Sequence, residues 1–326
     1  MTVRDKTLAM LEKHRGEFFS GEKLAETLGV SRNAVWKAIK QLETDGYPIK
    51  AVKSKGYCLE ETSDKLSLQG VIPFLDKGID ASVIEVYNSI DSTNSRAKEL
   101  AVSGAKHGTV IISNEQTKGR GRYGKTFESP KDSGIYMSLI LRPEEFSAID
   151  PSLMTAYAAV VVSDVLGSIS GKDIGIKWVN DLFLNGKKVC GILTEAVTNL
   201  ETGRLDWIVV GIGINVTTDV HAFSSDVQTV ATAIFDDDNK SVIRNEIAAS
   251  VVNQFFAREK EMTQEEMMQI YRDKSIVIGK QVSVVSGNQQ FEAIAEDILD
   301  NGSLVIKTSD GLTKELRFGE VSVKVN

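Results

Sequence analysis

Cysteine and histidine are scarce in this chain of 326 residues. The two cysteines, Cys58 and Cys190, lie in different regions, and the three histidines, His14, His107 and His221, are scattered. Neither a disulfide framework nor a Cys/His metal site is indicated, and any metal is expected to arrive with a nucleotide. Long apolar runs are missing as well. The longest, around residues 156–162 and 208–216, fall short of the roughly 20 residues that span a bilayer, and no secretory apolar segment opens the chain. A cytoplasmic protein with no membrane attachment is expected. What remains, 42% apolar and 25% charged residues, suits two or three domains with at least one full core.

The net charge of −7 is unevenly spread. Residues 1–60 hold 11 Lys/Arg against 8 Asp/Glu, a net of +3, leaving −10 for the remainder. A mildly basic end on an acidic body is compatible with a DNA-contacting module, although +3 alone is a weak sign. Residues 5–15, 21–28 and 31–42 read as three helices. Gly29 supplies the turn between the last two, Ser31 is a good N-cap, and Val35, Ile39 and Leu42 form an apolar stripe. This is helix-turn-helix spacing. The alternating basic stretch 49–59 resembles the wing of a winged helix. Arg32, Asn33, Lys37 and Lys40 would then face the major groove, and Lys50, Lys53 and Lys55 would contact phosphates. A winged helix used for protein contacts is the alternative.

A loop rich in glycine and arginine, Gly119-Arg120-Gly121-Arg122-Tyr123-Gly124, follows the apolar run 109–113. Guanidinium groups on a tight backbone suit a phosphate or carboxylate, so the loop reads as an anion clamp. Residues 119–126 also spell GxxxxGKT, and Gly119, Gly121 and Gly124 spell GxGxxG. Both motifs require a helix directly afterwards, whereas here residues 127–134 are turn-like and 135–141 strand-like, so neither applies. A basic surface hairpin is the plain alternative for the loop taken alone.

After a polar, linker-like stretch at 60–64, strands and helices alternate. Strands are expected at 83–87, 174–178, 188–197 and 205–214. A helix capped by Ser92 or Asn94 is expected next, and a long apolar helix begins at Asp150-Pro151. Three polar or glycine-rich breaks interrupt buried sequence: Lys177-Trp178-Val179-Asn180-Asp181, the stretch from Gly186 through Lys188 and Gly191 to Glu195, and Gly211-Ile212-Gly213-Ile214-Asn215-Val216. Singly each could be turn chemistry. Together they are expected to bring a lysine, the Asp181 carboxylate and the Asn215 amide to one cavity.

In this order, with Gln116-Thr117-Lys118 before the clamp, these strings resemble the bifunctional biotin protein ligases that are also biotin operon repressors, and the likeness covers all three regions. It implies an α/β (α+β) multidomain chain: an N-terminal winged helix-turn-helix at 1–64, a central mixed-sheet, class II synthetase-like ligase domain at 65–275, and a C-terminal SH3-like β-barrel at 276–326. Biotin and ATP, the latter with Mg2+, would condense to biotinyl-adenylate, and biotin would pass to a lysine of a biotin carboxyl carrier domain. By family position Ser92, Thr93, Asn94 and Gln116 would line the biotin pocket. Gly119, Arg120, Gly121 and Arg122 would close over carboxylate and phosphate, with Lys188 bridging the two and Gly191 beside it. Asp181 would orient or deprotonate the incoming lysine, Asn215 would lie near the metal-phosphate, and Phe127 and Phe223 would flank adenine. Val179 stands where the family has proline, Phe127 where it has tryptophan, and Tyr123 and Lys125 where arginine is frequent.

The C-terminal part fits this likeness. Thr263-Gln264-Glu265-Glu266 is a capping box, strands begin near 278, and turns fall at 300–302 and 309–311. In the family this domain assists nucleotide and acceptor binding; the alternative is a structural cap. Operator DNA and a ligand-promoted homodimer, through a strand at 193–198, complete the expected partners. The competing readings are a lipoate or octanoate ligase of related fold and a non-catalytic transcription factor that senses a small ligand.

Overall fold

The structure, a computed structural model, describes residues 1–145, 149–198, 205–235, 244–286, 289–317 and 319–323. It divides into two compact units, residues 1–82 with 238–250 and residues 83–237 with 251–326.

In the first unit, α1 (Val3–Lys13), α2 (Gly21–Leu28) and α3 (Arg32–Thr44) precede a hairpin of β1 (Ile49–Val52) and β2 (Gly56–Leu59), followed by the short α4 (Leu68–Val71). The caps set the bounds. Ser20 and Ser31 accept from the Lys23 and Ala34 backbone N–H groups, and Gly29 ends α2 at φ 65°, a left-handed conformation cheap for glycine. Thr2 and Asp5 make a reciprocal capping box, so α1 starts at Val3, two residues before the expected position. Leu8, Leu11, Leu24, Val35, Ile39, Leu42 and Leu59 close the core.

The stretch 60–64, read as a linker, is folded in. Ser63 is buried, and Asp64 accepts from the Arg244 backbone N–H and from Nε, both at 2.6 Å. Asn245 is fully buried; it accepts from the Ser67 N–H at 3.0 Å and donates to the Lys65 carbonyl at 2.9 Å. These partners lie at the start of α8 (Arg244–Glu261), far along the chain, so no local pattern discloses them.

The second unit holds a seven-stranded sheet. Its strands are β3 (Ile84–Tyr87), β4 (Thr109–Ser113), β5 (Gly134–Leu141), β6 (Gly175–Lys177), β7 (Asp181–Leu184), β8 (Lys187–Thr198) and β9 (Leu205–Asn215). Their order is β3-β4-β5-β9-β8-β7-β6; β3 and β4 run parallel and the other pairs antiparallel. Every residue of β5 is buried, as expected of a strand covered on both faces.

Ser92 caps α5 (Thr93–Val102), and Asp150 and Pro151 open a 3-10 turn that runs into α6 (Met154–Ser170). Counted as a helix, residues 151–170 do reach bilayer-spanning length at mean hydropathy 1.5, but two-thirds of that stretch is buried within the fold. A short α7 (Ser225–Val230) and α9 (Gln264–Asp273), opened by the Thr263–Glu266 capping box, follow.

The chain ends in a five-stranded antiparallel sheet of β10 (Gln281–Ser286), β11 (Gln289–Ile298), β12 (Leu304–Thr308), β13 (Thr313–Leu316) and β14 (Glu320–Val323), ordered β13-β12-β11-β10-β14. Among the described residues its edge strands do not pair with each other, so the expected barrel is present as a sheet that does not close.

Candidate active site

A narrow cavity of about 50 Å³ lies over the middle of the large sheet. Ser92, Thr93, Asn94, Gln116, Arg120, Gly121, Arg122, Phe127, Lys188 and Gly191, ten residues from six separate stretches of the chain, all line it. Gly119 stands just behind, where an added Cβ would sit 2.2 Å from the Phe127 carbonyl oxygen.

One end is a polar network. Gln116 Oε1 accepts from the Thr93 N–H at 2.8 Å and from its hydroxyl at 3.1 Å, and Gln116 Nε2 donates to Ser129 Oγ at 2.9 Å. The buried Ser138 hydroxyl donates to Asn94 Oδ1 at 2.6 Å, and Asn94 Nδ2 donates to Glu195 Oε2 at 2.9 Å. Glu195 also pairs with Lys98 at 2.8 Å and stands 3.8 Å from Arg120. Burial would raise its carboxyl, but the Lys98 and Asn94 hydrogen bonds and the Lys98 and Arg120 charges outweigh that and hold it below the ordinary carboxylate range. Satisfied in this way, the end presents fixed donors and acceptors to a ligand.

The other end carries charge. Lys188 Nζ pairs with Asp181 Oδ1 at 2.7 Å and lies 5.8 Å from the centre of the Phe127 ring. Asp181 is reached through Lys188 and does not itself line the cavity. The Asn180 amide donates to Asp181 Oδ1 at 3.0 Å while its own oxygen accepts from Arg122 at 3.0 Å. The clamp is tied down on its far side too: Arg122 donates to the Gly319 carbonyl at 3.3 Å, and Lys125 pairs with both oxygens of Glu320 at 2.8 Å. No α-helix follows the loop; residues Arg122–Gly124 form only a 3-10 turn, with Tyr123 left-handed at φ 53°. Phe127 lies against bare backbone, since a Cβ at Gly213 would stand 2.4 Å from its ring.

Asn215 and Phe223 do not line this cavity. Both are buried; Asn215 Nδ2 donates to the Thr232 carbonyl at 3.3 Å, and its Oδ1 is buried without a hydrogen-bond partner among the described residues. Sequence reasoning missed Ser138, Asn180 and Glu195 as ligand-orienting groups. The signal for Ser138 was a serine in a strand otherwise of apolar and aromatic residues, and the other two lie inside boxes already singled out. It also missed a neighbouring concavity of about 350 Å³ that shares Arg122 with the first and adds Tyr123, Tyr271 and Arg317.

In the first unit Arg32, Asn33, Lys37, Lys40, Lys50, Lys53 and Lys55 are all exposed. Lys40 pairs with Glu43 at 2.7 Å and Lys50 with Glu60 at 3.2 Å, while Arg32, Asn33, Lys53 and Lys55 line one concavity between α3 and the hairpin.

Fold and site together define a protein ligase of the biotin/lipoate type joined to a helix-turn-helix. The model of the biotin/lipoate A/B protein ligase family matches residues 86–215, an HTH domain model matches 3–58, and that of the biotin protein ligase C terminal domain matches 277–324. The chain is 33% identical over 316 residues to the bifunctional ligase/repressor BirA of Bacillus spizizenii, covering 96% of each. To the Escherichia coli protein of the same name it is 31% identical over 327 residues, covering 99% of this chain and 98% of that one. A solved biotin protein ligase from Aquifex aeolicus in complex with biotin and ATP superposes with a TM-score of 0.62 at 26% identity, over 74% of this chain and 99% of that one. The chain belongs to the family of bifunctional BirA ligase/repressors.

Proposed function

We propose that this protein is an ATP-dependent biotin protein ligase and a biotin-responsive repressor. The observation that carries the reading is the convergence of Lys188, Arg120 and Arg122 on one cavity that a satisfied polar network also lines. A carboxylate and a triphosphate repel each other, and reaction between them needs cations that hold both in line. A biotin carboxylate oxygen would attack the α-phosphorus of ATP, the bond to pyrophosphate would break, and biotinyl-adenylate would remain. Lys188 would contact the carboxylate and α-phosphate, and the two clamp arginines would offset developing charge. Ser92, Thr93, Asn94 and Gln116 would hold the uncharged end of biotin.

In the second step the ε-amine of a carrier-domain lysine would attack the acyl carbon, AMP would leave, and the amine would lose a proton. Asp181, near at hand through Lys188, is the candidate to orient that amine or take the proton. Magnesium would enter bound to ATP. Asn215, which does not line the cavity, has a buried amide oxygen without a hydrogen-bond partner among the described residues, a ligand type that suits a hard cation. Adenylate-promoted ordering of that clamp, favouring a homodimer, would bring two winged helices to operator DNA.

Pyrophosphate release tests the catalytic half, with purified protein, ATP and magnesium, no acceptor, and biotin, lipoate or octanoate supplied separately. A burst with biotin alone is expected. A burst with lipoate would transfer the chain to the sister activity, and silence with all three would leave a ligand-sensing DNA-binding protein.

A further inference from the structure

Of the three tryptophans, Trp178 and Trp207 are buried, whereas Trp36 leaves 49% of its surface in water. The fold does not need it there. The buried stripe of α3 is Val35, Ala38, Ile39 and Leu42, and Trp36 projects from the polar side of the same helix. It stands in a concavity of about 660 Å³, with Arg32 and Asn33 beside it and Val52, Lys53 and Lys55 on the facing hairpin. The first turn of α2 closes one end, and Glu22 is the only acid in the lining. Arg32, Lys53 and Lys55 form no ion pair among the described residues, and Val52, 40% exposed, is the second large apolar side chain left open there.

An apolar surface ringed by unpaired cations suits a polyanion that also carries apolar groups, which describes the major groove better than an apolar protein face. We propose that Trp36 is a base-reading residue. Lys53 and Lys55 hold phosphates, and the indole, one turn into α3, meets base edges, where an apolar side chain selects the C5 methyl of thymine. This rests on the reading of the first unit as DNA-binding and adds to it a determinant of sequence choice, which phosphate contacts cannot supply.

The test uses the full chain with biotin and ATP–magnesium, and a duplex selected by the wild type from a random-sequence library. Because the other two indoles are buried, tryptophan emission quenched by acrylamide reports Trp36. That quenching is expected to fall when the selected duplex is added. Trp36→Ala is expected to bind the selected duplex about tenfold more weakly and an unrelated duplex almost unchanged. Replacing thymine by uracil in the selected duplex should reproduce the loss in the wild type and add nothing in the variant. Unchanged binding of the unrelated duplex shows that the first unit of Trp36→Ala is folded, and biotin-dependent pyrophosphate release equal to wild type shows the same of the second. Equal losses on both duplexes, or indifference to uracil, would overturn the role of Trp36 while leaving DNA binding intact. Failure of the wild type to select any duplex would overturn the DNA-binding reading and this one with it.

Discussion

Lys188 is held between Asp181 and the face of Phe127, which fixes a flexible four-carbon side chain before any substrate arrives. Lys188→Ala is expected to reduce biotin-dependent pyrophosphate release by roughly two to three orders of magnitude, the scale of losing one preorganised electrostatic contact. Asp181→Asn separates the two steps: transfer to a carrier domain should fall more than adenylate formation, as single-turnover assays of each would show, and equal losses would remove Asp181 from the second step. Gly213→Ala places a methyl 2.4 Å from the Phe127 ring, and the ring must yield because both strands beside it are buried. The KM for biotin or ATP is expected to rise by about tenfold, and that rise should largely vanish in a Phe127→Ala background, since contacting residues are not additive. Motif strings made Lys188, Arg120 and Arg122 legible. Glu195 was not, because its role arises from a hydrogen bond to Asn94, 101 positions away, and from Lys98 on the same helix.

Helix α6 is apolar on almost every side, and its one acid, Asp164, is spent on cohesion. It accepts from Arg258 of α8 at 2.5 Å and pairs at 2.8 Å with Lys274, just beyond α9. Burial would raise the Asp164 carboxyl, but the hydrogen bonds and charges of Lys274 and Arg258 outweigh it and hold it below its ordinary value. A carboxyl whose folded value is lowered contributes stability that is fully present above the unfolded value, about 4, and is lost as pH falls through the folded one. Asp164→Asn should therefore lower the melting temperature by a constant amount above about pH 5, and the gap should narrow below about pH 4. A gap that widened in acid would contradict this. Helix ends were largely legible at this scale, since Ser31, Ser92, Asp150 and Thr263 announce their own caps. Strand β7 was not. Asn180 and Asp181 read as turn residues, and only the pairing of Asp181–Leu184 with β6 and β8 makes four residues a strand.

For the whole molecule, the formal charge of −7 opposes DNA binding at long range, so affinity must come from the local set of cations on the first unit. Lys40 and Lys50 are engaged with Glu43 and Glu60, which leaves Arg32, Lys37, Lys53 and Lys55 without ion pairs among the described residues of the expected contacts. Each neutralised phosphate contributes about −0.9 to the slope of log affinity against log salt, so these cations on one copy give a slope of roughly −4, and on two copies gripping one duplex roughly −7. If biotin and ATP drive dimerisation, adding both should steepen the slope from the shallow to the steep value. Sedimentation should show the doubled mass over the same ligand range. A slope that remained near −4 while mass doubled would mean that the dimer engages DNA through one winged helix only. A slope near −7 with no change of mass would instead require about four contacts beyond these four cations, of which release of Lys40 and Lys50 from their acidic partners would supply only two.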